Sequence, residues 1–275
     1  MTASQIAVPG GRLHVVDEGY GPPIVLIHAG VADLRAWDDV VRPLNHAGYR
    51  VIRHDVRGFG QSTTEDVEFS HHADVLAVLD AAGVERAVLV GNSKGGMIAY
   101  DTAIASPDRV VAVVGVAAGV GGYDGGMTPD EIQINEEYER VDSVEPFDAV
   151  ALTDFEVRVW LAGPLQPLDR VSPELRTRFF EMDLPLNEQG RVRGRQVPLD
   201  PPANDRLAEL RCPVLAIAGT LDFSECVAAA RHLEADAPNA HALIWDDVAH
   251  MIGMEQPHRL AGAIAEFVEP FRPWE

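Results

Sequence analysis

The segment VGNSKGG (residues 90–96) decides the fold, because it places a serine between glycines directly after a run of aliphatic residues. The run at 87–91 predicts a strand buried on both faces, and residues 94–105 carry apolar side chains at helical spacing. Gly91-Asn92-Ser93-Lys94-Gly95 therefore fits G-x-S-x-G in the strand–turn–helix context that the motif requires. Such a turn lifts the Ser93 hydroxyl clear of the sheet. We predict a nucleophilic serine; the alternative is a tight turn with a surface serine.

Short apolar runs alternate with amphipathic stretches on both sides of this segment. Strands are predicted at 12–17, 23–28, 50–54, 87–91, 110–117, 213–218 and 241–245, and helices at 71–82, 94–105 and about 257–269. The first of these strands alternates like an edge strand. This order predicts an α/β fold with a mostly parallel sheet covered by helices.

The rhythm of strands is interrupted between residues 130 and 200, where helical stretches occur without a buried strand. A block of this length is too long for an ordinary connection. We interpret it as a cap over the carboxyl ends of the strands, where ligands bind in open α/β sheets. The predicted division is a core at 1–119 and 206–275 with a helical cap at 120–205.

A serine hydroxyl needs a base, and two later strands end near suitable residues. Asp222 follows the strand at 213–218, and His250 follows the strand at 241–245. The order Ser93, Asp222, His250 is one of the known orders of a Ser-His-Asp triad. Taken alone, Asp222 could instead cap a helix and His250 could be a surface histidine.

The oxyanion that forms on the substrate needs backbone donors. The N–H groups of Gly30, in the loop after the strand at 23–28, and of Lys94 are the candidates. His28 is interpreted as a structural residue that hydrogen-bonds this loop. Asp246 and Asp247 are interpreted as loop residues, although they are nearer to His250 in sequence than Asp222 is.

Over nearly its whole length the chain resembles the α/β-hydrolase superfamily of the serine type. The matching segments are IVLIHAG (24–30), HDVRGFGQS (54–62), VGNSKGG (90–96), AIAGTLD (216–222) and the AHM around His250. The resemblance implies an eight-stranded sheet with one antiparallel strand and a helical cap after the sixth strand. It also implies that Asp55, Arg57 and Gly58 hold a structural turn. Ala29 stands where the family usually has glycine, and Ser93 argues against the aspartate-dependent dehalogenases and epoxide hydrolases of this fold.

Lys94 is the only lysine of the chain, and it directly follows the predicted nucleophile. If its side chain faces the pocket, it could bind a substrate carboxylate or phenolate, stabilise the oxyanion, or lower a nearby pKa. The alternative is a side chain in solvent or paired with Glu136 or Glu137. Trp160 is a second predicted substrate-binding residue, and packing of cap against core is its alternative role.

Composition limits the partners. The 22 basic and 43 acidic residues give a net charge of −21 and a pI of about 4.7, which disfavours nucleic acid and anionic membranes. Cys212 and Cys226 lack the spacing of a disulfide framework or a zinc site. The N-terminal residues do not read as a signal peptide, and no apolar run is long enough to span a bilayer. A cytoplasmic location is expected.

The leading hypothesis is a cofactor-independent serine hydrolase that acts on a small ester, lactone or related carbonyl compound, with an anionic substrate suggested by Lys94. No cofactor or metal is expected, the expected partner is a small-molecule substrate, and a homodimer is left open. A C–C hydrolase or lyase on the same fold is the nearest enzymatic alternative. A small-molecule-binding relative without turnover is the alternative from another class.

Overall fold

The computed structural model describes residues 1–188 and 194–274. Its strands are β1 (Thr2–Val8), β2 (Gly11–Glu18), β3 (Pro23–Ile27), β4 (Arg50–His54), β5 (Thr63–Thr64), β6 (Glu68–Phe69), β7 (Ala87–Asn92), β8 (Val110–Val116), β9 (Arg195–Gln196), β10 (Val214–Gly219) and β11 (Ala240–Trp245). Its α-helices are α1 (Asp38–His46), α2 (His71–Ala81), α3 (Lys94–Ala105), α4 (Pro129–Asp142), α5 (Ala149–Glu156), α6 (Pro173–Glu188), α7 (Ser224–Asp236), α8 (Ile252–Glu255) and α9 (Pro257–Val268). Short 3₁₀ turns lie at Leu34–Trp37, Pro107–Arg109, Leu168–Arg170, Ala203–Glu209 and Glu269–Phe271.

The main sheet runs in the order β1-β2-β4-β3-β7-β8-β10-β11, and the two-residue β5 pairs with β2 beside this path. Pairing is parallel from β4 to β11, whereas β2 is antiparallel to both of its neighbours in the path. The predicted mostly parallel sheet is thus confirmed. The expectation of an edge strand at 12–17 is wrong, because β1, a largely exposed strand, pairs along the outer side of β2.

The sheet has an apolar layer on each face. In β3, Val25 and Ile27 belong to the core cluster that includes residues of α2, α3 and α7, whereas Ile24 and Leu26 belong to the cluster that includes residues of α1 and α9. Successive strand residues point to opposite faces, so a strand covered on both sides reads as an uninterrupted apolar run. This is why the predicted bounds of the apolar inner strands β3, β7, β8 and β10 agree with the observed ones to within one residue.

The segment predicted as a cap contains α4, α5, a π-helical turn at Val157–Ala162 and α6. Buried residues of this segment, including Leu161 and Phe179, pack with Ala29 and Met251 from the loops at the carboxyl ends of β3 and β11. The segment therefore lies over that end of the sheet. Residues 189–193 of the predicted cap lie outside the described residues, and the division at 120 and 205 stays a prediction.

Candidate active site

Ser93 lies on a sharp turn between β7 and α3. Its backbone angles are φ 53° and ψ −117°, and a residue with a side chain rarely adopts a positive φ. The Ser93 N–H donates to the carbonyl oxygen of Val116 at 2.8 Å, which attaches the turn to the end of β8. Strained backbone of this kind is a common feature of functional sites. The turn presents the serine at the carboxyl edge of the sheet.

The glycines around Ser93 allow this turn because strand and helix approach closely there. A Cβ atom on Gly91 would lie 2.1 Å from the backbone of Gly95, and one on Gly95 would lie 2.1 Å from the carbonyl oxygen of Ile27. A Cβ on Gly96 would lie 2.4 Å from the Cβ of Ala118. Each position therefore excludes any larger residue. The glycines of VGNSKGG are required by packing as well as by the turn.

Asp222 and His250 form a buried pair. Nδ1 of His250 donates to Oδ2 of Asp222 at 2.7 Å, and the N–H of Phe223 donates to Oδ1 at 2.8 Å. The N-cap position of α7 is Phe223, so Asp222 is not the cap of that helix. Asp246 and Asp247 are exposed. The residues that the sequence placed 28 positions apart thus meet in the geometry expected for a base and the acid that orients it.

Ser93 and His250 line one cavity of about 300 Å³. Its other lining residues are Met97, Ala117, Gly119, Val120, Gly121, Gly122, Tyr123, Gly125, Trp160, Glu225, Cys226 and Ala229. The Trp160 ring centroid lies 4.7 Å from that of His250 and 5.2 Å from that of Phe223. Trp160 thus contacts both the cavity and the imidazole, from a π-helical turn of a kind often found at functional sites.

Lys94 follows Ser93, but its side chain lies elsewhere. It runs beside Gly30, where a Cβ atom on that glycine would be 3.7 Å from Cδ of Lys94. Nζ of Lys94 lies 5.5 Å from the centroid of the Phe59 ring. Lys94 is not one of the described residues that line the cavity of Ser93. Of its predicted alternative partners, Glu137 pairs with Arg158 at 2.9 Å. Substrate binding by Lys94 stays a prediction.

The loop that carries Gly30 is fixed by His28. Nδ1 of His28 donates to the carbonyl oxygen of Ala29 at 2.7 Å, and Nε2 accepts from the N–H of Val56 at 2.8 Å. An imidazole that donates through one nitrogen and accepts through the other is neutral. Burial lowers the pKa of His28, consistent with this state. The structural role predicted for His28 is confirmed.

The turn after β4 is held by two charged residues. Oδ1 of Asp55 accepts from the N–H of Leu34, and Oδ2 accepts from the N–H of Gln61. Arg57 donates twice to the carboxylate of Asp74, at 2.8 and 2.6 Å. Gly58, the third residue named for this turn, has a positive φ of 77°. These contacts confirm the predicted structural role of DVRGFGQS.

Two contacts at the site were missed by sequence reasoning. Nδ2 of Asn92 donates to the carbonyl oxygens of Val116 and His250, at 3.0 and 3.3 Å. Glu131 accepts from the N–H and the hydroxyl of Ser224, at 2.7 and 2.6 Å. The sequence TPDE (128–131) has the form of a capping box and could have indicated the start of α4. Nothing local could have indicated the contact to Ser224.

Comparison with known proteins identifies the family. A family profile described as the alpha/beta hydrolase fold matches residues 22–257, and the chain belongs to this family. Epoxide hydrolase B of Mycobacterium tuberculosis is 35% identical over 117 residues, which cover 39% of this chain and 33% of that protein. The match to this curated relative thus spans about a third of its length.

Two solved structures resemble the whole chain. The esterase RhEst1 from Rhodococcus sp. ECU1013 has a TM-score of 0.79 and 25% identity, covering 98% of this chain and 99% of the other. Est816, described as an N-acyl homoserine lactone degrading enzyme, has a TM-score of 0.75 and 25% identity, covering 96% and 100%. Among the described residues no helix is both long enough and apolar enough to cross a bilayer.

Proposed function

We propose that this chain hydrolyses small carboxylic esters or lactones with Ser93 as nucleophile, His250 as base and Asp222 as the residue that orients the base. The observation that carries the proposal is the pairing of Asp222 with His250 at 2.7 Å, on a cavity that Ser93 also lines. Esterase and lactone-degrading activities are those named for two similar structures.

The reaction has two halves. In the first, Oγ of Ser93 attacks the carbonyl carbon while Nε2 of His250 takes the hydroxyl proton. The imidazolium then gives this proton to the leaving alcohol, and an acyl-serine remains. In the second half, His250 takes a proton from water, the hydroxide attacks the acyl-serine, and the proton returns to Ser93. Asp222 stabilises the imidazolium in both halves and keeps Nδ1 as its donor.

Backbone donors are proposed to hold the oxyanion. The N–H of Lys94 lies in the first turn of α3, where N–H groups point toward the N-terminal end of the helix. The loop of Gly30 lies beside Lys94, at van der Waals distance from its side chain. Two such donors act without reorganisation as the charge develops, and loss of one costs about 10²–10³-fold in rate.

Serine at position 93 supports acyl transfer over epoxide opening. Epoxide hydrolases of this fold use aspartate as nucleophile, because the alkyl-ester intermediate is hydrolysed at the carboxyl carbon. A serine ether formed from an epoxide has no such carbonyl. The similarity to curated epoxide hydrolases is therefore a similarity of fold and not a guide to the reaction proposed here.

The test is labelling with a fluorophosphonate probe together with hydrolysis of p-nitrophenyl acetate. We expect Ser93→Ala to abolish labelling and to lower turnover at least about 10⁴-fold. Ser106→Ala, at the other end of α3, is the matched control and should keep both. Labelling that persists in Ser93→Ala would overturn the proposal. Tight binding of a small molecule by a wild-type chain that is never labelled would favour a binding protein.

A further inference from the structure

Cys226 lies beside the Asp222–His250 pair and adds a sulfur ligand to the carboxylate oxygen and imidazole nitrogen of that pair. Its Sγ lies 4.0 Å from Nδ1 of His250. One ligand atom from each of Asp222, Cys226 and His250 lies within 4.8 Å of the other two. All three residues are at least nine-tenths buried, with 5%, 6% and 3% of their surface exposed. A thiol, an imidazole and a carboxylate are the ligand types that zinc binds.

The surroundings favour a cation. Cys226 and His250 line the cavity of Ser93, so an ion has a path to both. Glu225 lines the same cavity, so a carboxyl group lies beside the three candidate ligands. A carboxyl group on this cavity attracts a divalent cation rather than an anion.

We propose that Cys226, His250 and Asp222 form an inhibitory site for a thiophilic divalent cation such as Zn²⁺. The ion binds Sγ, Nδ1 and one carboxylate oxygen, and water completes four-fold coordination. This site was not expected from the sequence, because Asp222 and His250 lie 28 positions apart and no short motif joins them.

The geometry requires small shifts. Bond lengths typical of zinc with sulfur and nitrogen give a separation of about 3.5 Å between the two ligand atoms of a tetrahedral site. The observed 4.0 Å from Sγ to Nδ1 must close by a few tenths of an ångström. The 2.7 Å between Nδ1 and Oδ2 of Asp222 must open by about 0.6 Å, because the metal replaces the proton between them.

Inhibition follows from the proton balance. Zinc binds the thiolate, so the buried thiol of Cys226 must lose its proton when the metal binds. On binding, the thiol proton leaves to solvent, and the imidazole proton moves from Nδ1 to Nε2. One proton is released for each ion bound, and no oxidant or reductant is involved. Nε2 then carries a hydrogen and cannot accept the proton of Ser93.

The binding test uses Cd²⁺ and the ultraviolet charge-transfer band of a cadmium–thiolate bond. We expect one equivalent to saturate the band in the wild-type chain and in the matched control Cys212→Ser. Cys212 is the other free thiol and lies before β10, away from this cavity. The band should be lost in Cys226→Ser and require more than tenfold higher Cd²⁺ in His250→Ala. An excess of Mg²⁺, which prefers oxygen ligands, should not compete.

Two results would overturn the site: a cadmium–thiolate band that persists in Cys226→Ser, or equal cadmium affinity in His250→Ala and wild type. The binding readout does not depend on turnover, whereas the inhibitory role rests on the proposed function.

Inhibition is tested by hydrolysis of p-nitrophenyl acetate at increasing Zn²⁺. Relative to its own rate without metal, Cys226→Ser should need at least about 100-fold more Zn²⁺ for half inhibition than wild type. Turnover that Zn²⁺ leaves unchanged, in a chain that binds cadmium through Cys226, would overturn inhibition alone. Cadmium binding without turnover in any variant would instead count against the proposed hydrolase.

Discussion

Ser93 and Lys94 are neighbours in the chain, but their side chains lie in two regions that differ in chemistry. On the Ser93 side, the serine lines a cavity with Trp160, Glu225 and His250. On the Lys94 side, the aliphatic chain lies beside Gly30 and the ammonium lies 5.5 Å from the Phe59 ring. Successive residues at the start of a helix point in directions about 100° apart. Adjacency to Ser93 therefore does not place a side chain in the cavity that Ser93 lines.

The two sides also differ in charge. The charged side chains that line the cavity beside Ser93 in the described chain are Glu225 and, when protonated, His250. On the other side the Lys94 charge adds to burial in lowering the pKa of His71. An anionic substrate was inferred from the presence of a lone lysine. The position of the Lys94 side chain gives that inference no direct support. Experiments on each side can test whether the Lys94 charge affects the reaction at Ser93.

The largest effect is expected for Asp222→Asn on the Ser93 side. The amide can still accept from the N–H of Phe223, but it offers a donor where Nδ1 of His250 needs an acceptor. The imidazole would then present the wrong tautomer to Ser93, and kcat should fall about 10⁴-fold. Steady-state hydrolysis of p-nitrophenyl acetate measures this. Asp247→Asn, in the exposed loop, is the control, and equal loss in both variants would contradict the pairing as the cause.

Gly30 lies beside the Lys94 side chain, and its N–H is proposed to serve the reaction at Ser93. Gly30→Pro removes the N–H proposed to hold the oxyanion, whereas Gly30→Ala keeps it and places a Cβ at an ordinary 3.7 Å from Cδ of Lys94. We expect kcat to fall about 100-fold in the proline variant and to change little in the alanine variant. Thermal unfolding of both should accompany the kinetics. Equal kcat in two folded variants would remove Gly30 from the oxyanion hole.

The buried His71 on the Lys94 side should make the stability of the chain depend on pH. Burial, followed by the charge of Lys94, lowers the pKa of His71 from 6.5 to about 3. Below pH 6.5 the unfolded chain therefore binds a proton at this position that the folded chain does not bind. The free energy of unfolding consequently decreases as the pH falls from 6.5 toward 3. One such group lowers the free energy of unfolding by about 1.4 kcal/mol per pH unit in this window. At pH 5 this corresponds to a shift of roughly 30-fold toward the unfolded state.

The measurement is urea unfolding at pH 7.5 and pH 5. Between pH 7.5 and pH 5, the free energy of unfolding of His71→Gln should decrease by about 2 kcal/mol less than that of wild type. His258→Gln, at an exposed position of α9, should behave like wild type. If His71→Gln shows the full wild-type loss, the buried histidine on the Lys94 side does not titrate as its surroundings indicate.

The smallest effect is expected for Lys94→Met on substrate charge. Because Nζ lies outside the cavity of Ser93, kcat/KM for mono-p-nitrophenyl glutarate and for neutral p-nitrophenyl valerate should change by the same factor, within about threefold. Lys94→Arg, which keeps the charge, is the control. A loss confined to the anionic ester in Lys94→Met, and absent in Lys94→Arg, would instead support the substrate-binding role predicted from the sequence.

Most inner strands were predictable because a strand buried on both faces is apolar at nearly every position, although β4 also carries the buried Arg53 and His54. The strand at Thr2–Val8 was not predicted, since its residues are mostly exposed and mixed in character. The same distinction holds at the site. Ser93 could be proposed from its local motif, and Asp222 and His250 from their positions after two strands.

What the sequence could not supply were directions and distant contacts. The side-chain direction of Lys94 depends on how α3 meets the loop of Gly30. The contact between Glu131 and Ser224 joins residues 93 positions apart and depends on the way α4 sits on the core. The sequence indicated only an isolated thiol at Cys226, because the contact between Cys226 and His250 exists only in the folded chain.

Glu131 has a consequence for any attempt to exchange caps between members of the family. Its carboxylate accepts from the N–H of Thr128 at the start of α4 and from Ser224, two residues after Asp222. A foreign cap grafted into this core would leave the Ser224 N–H without its acceptor unless it brought a carboxylate to the same place. Compatibility of a grafted cap therefore depends on this junction as well as on the shape of the pocket, and a chimaera that keeps residues 128–131 is the one to build first.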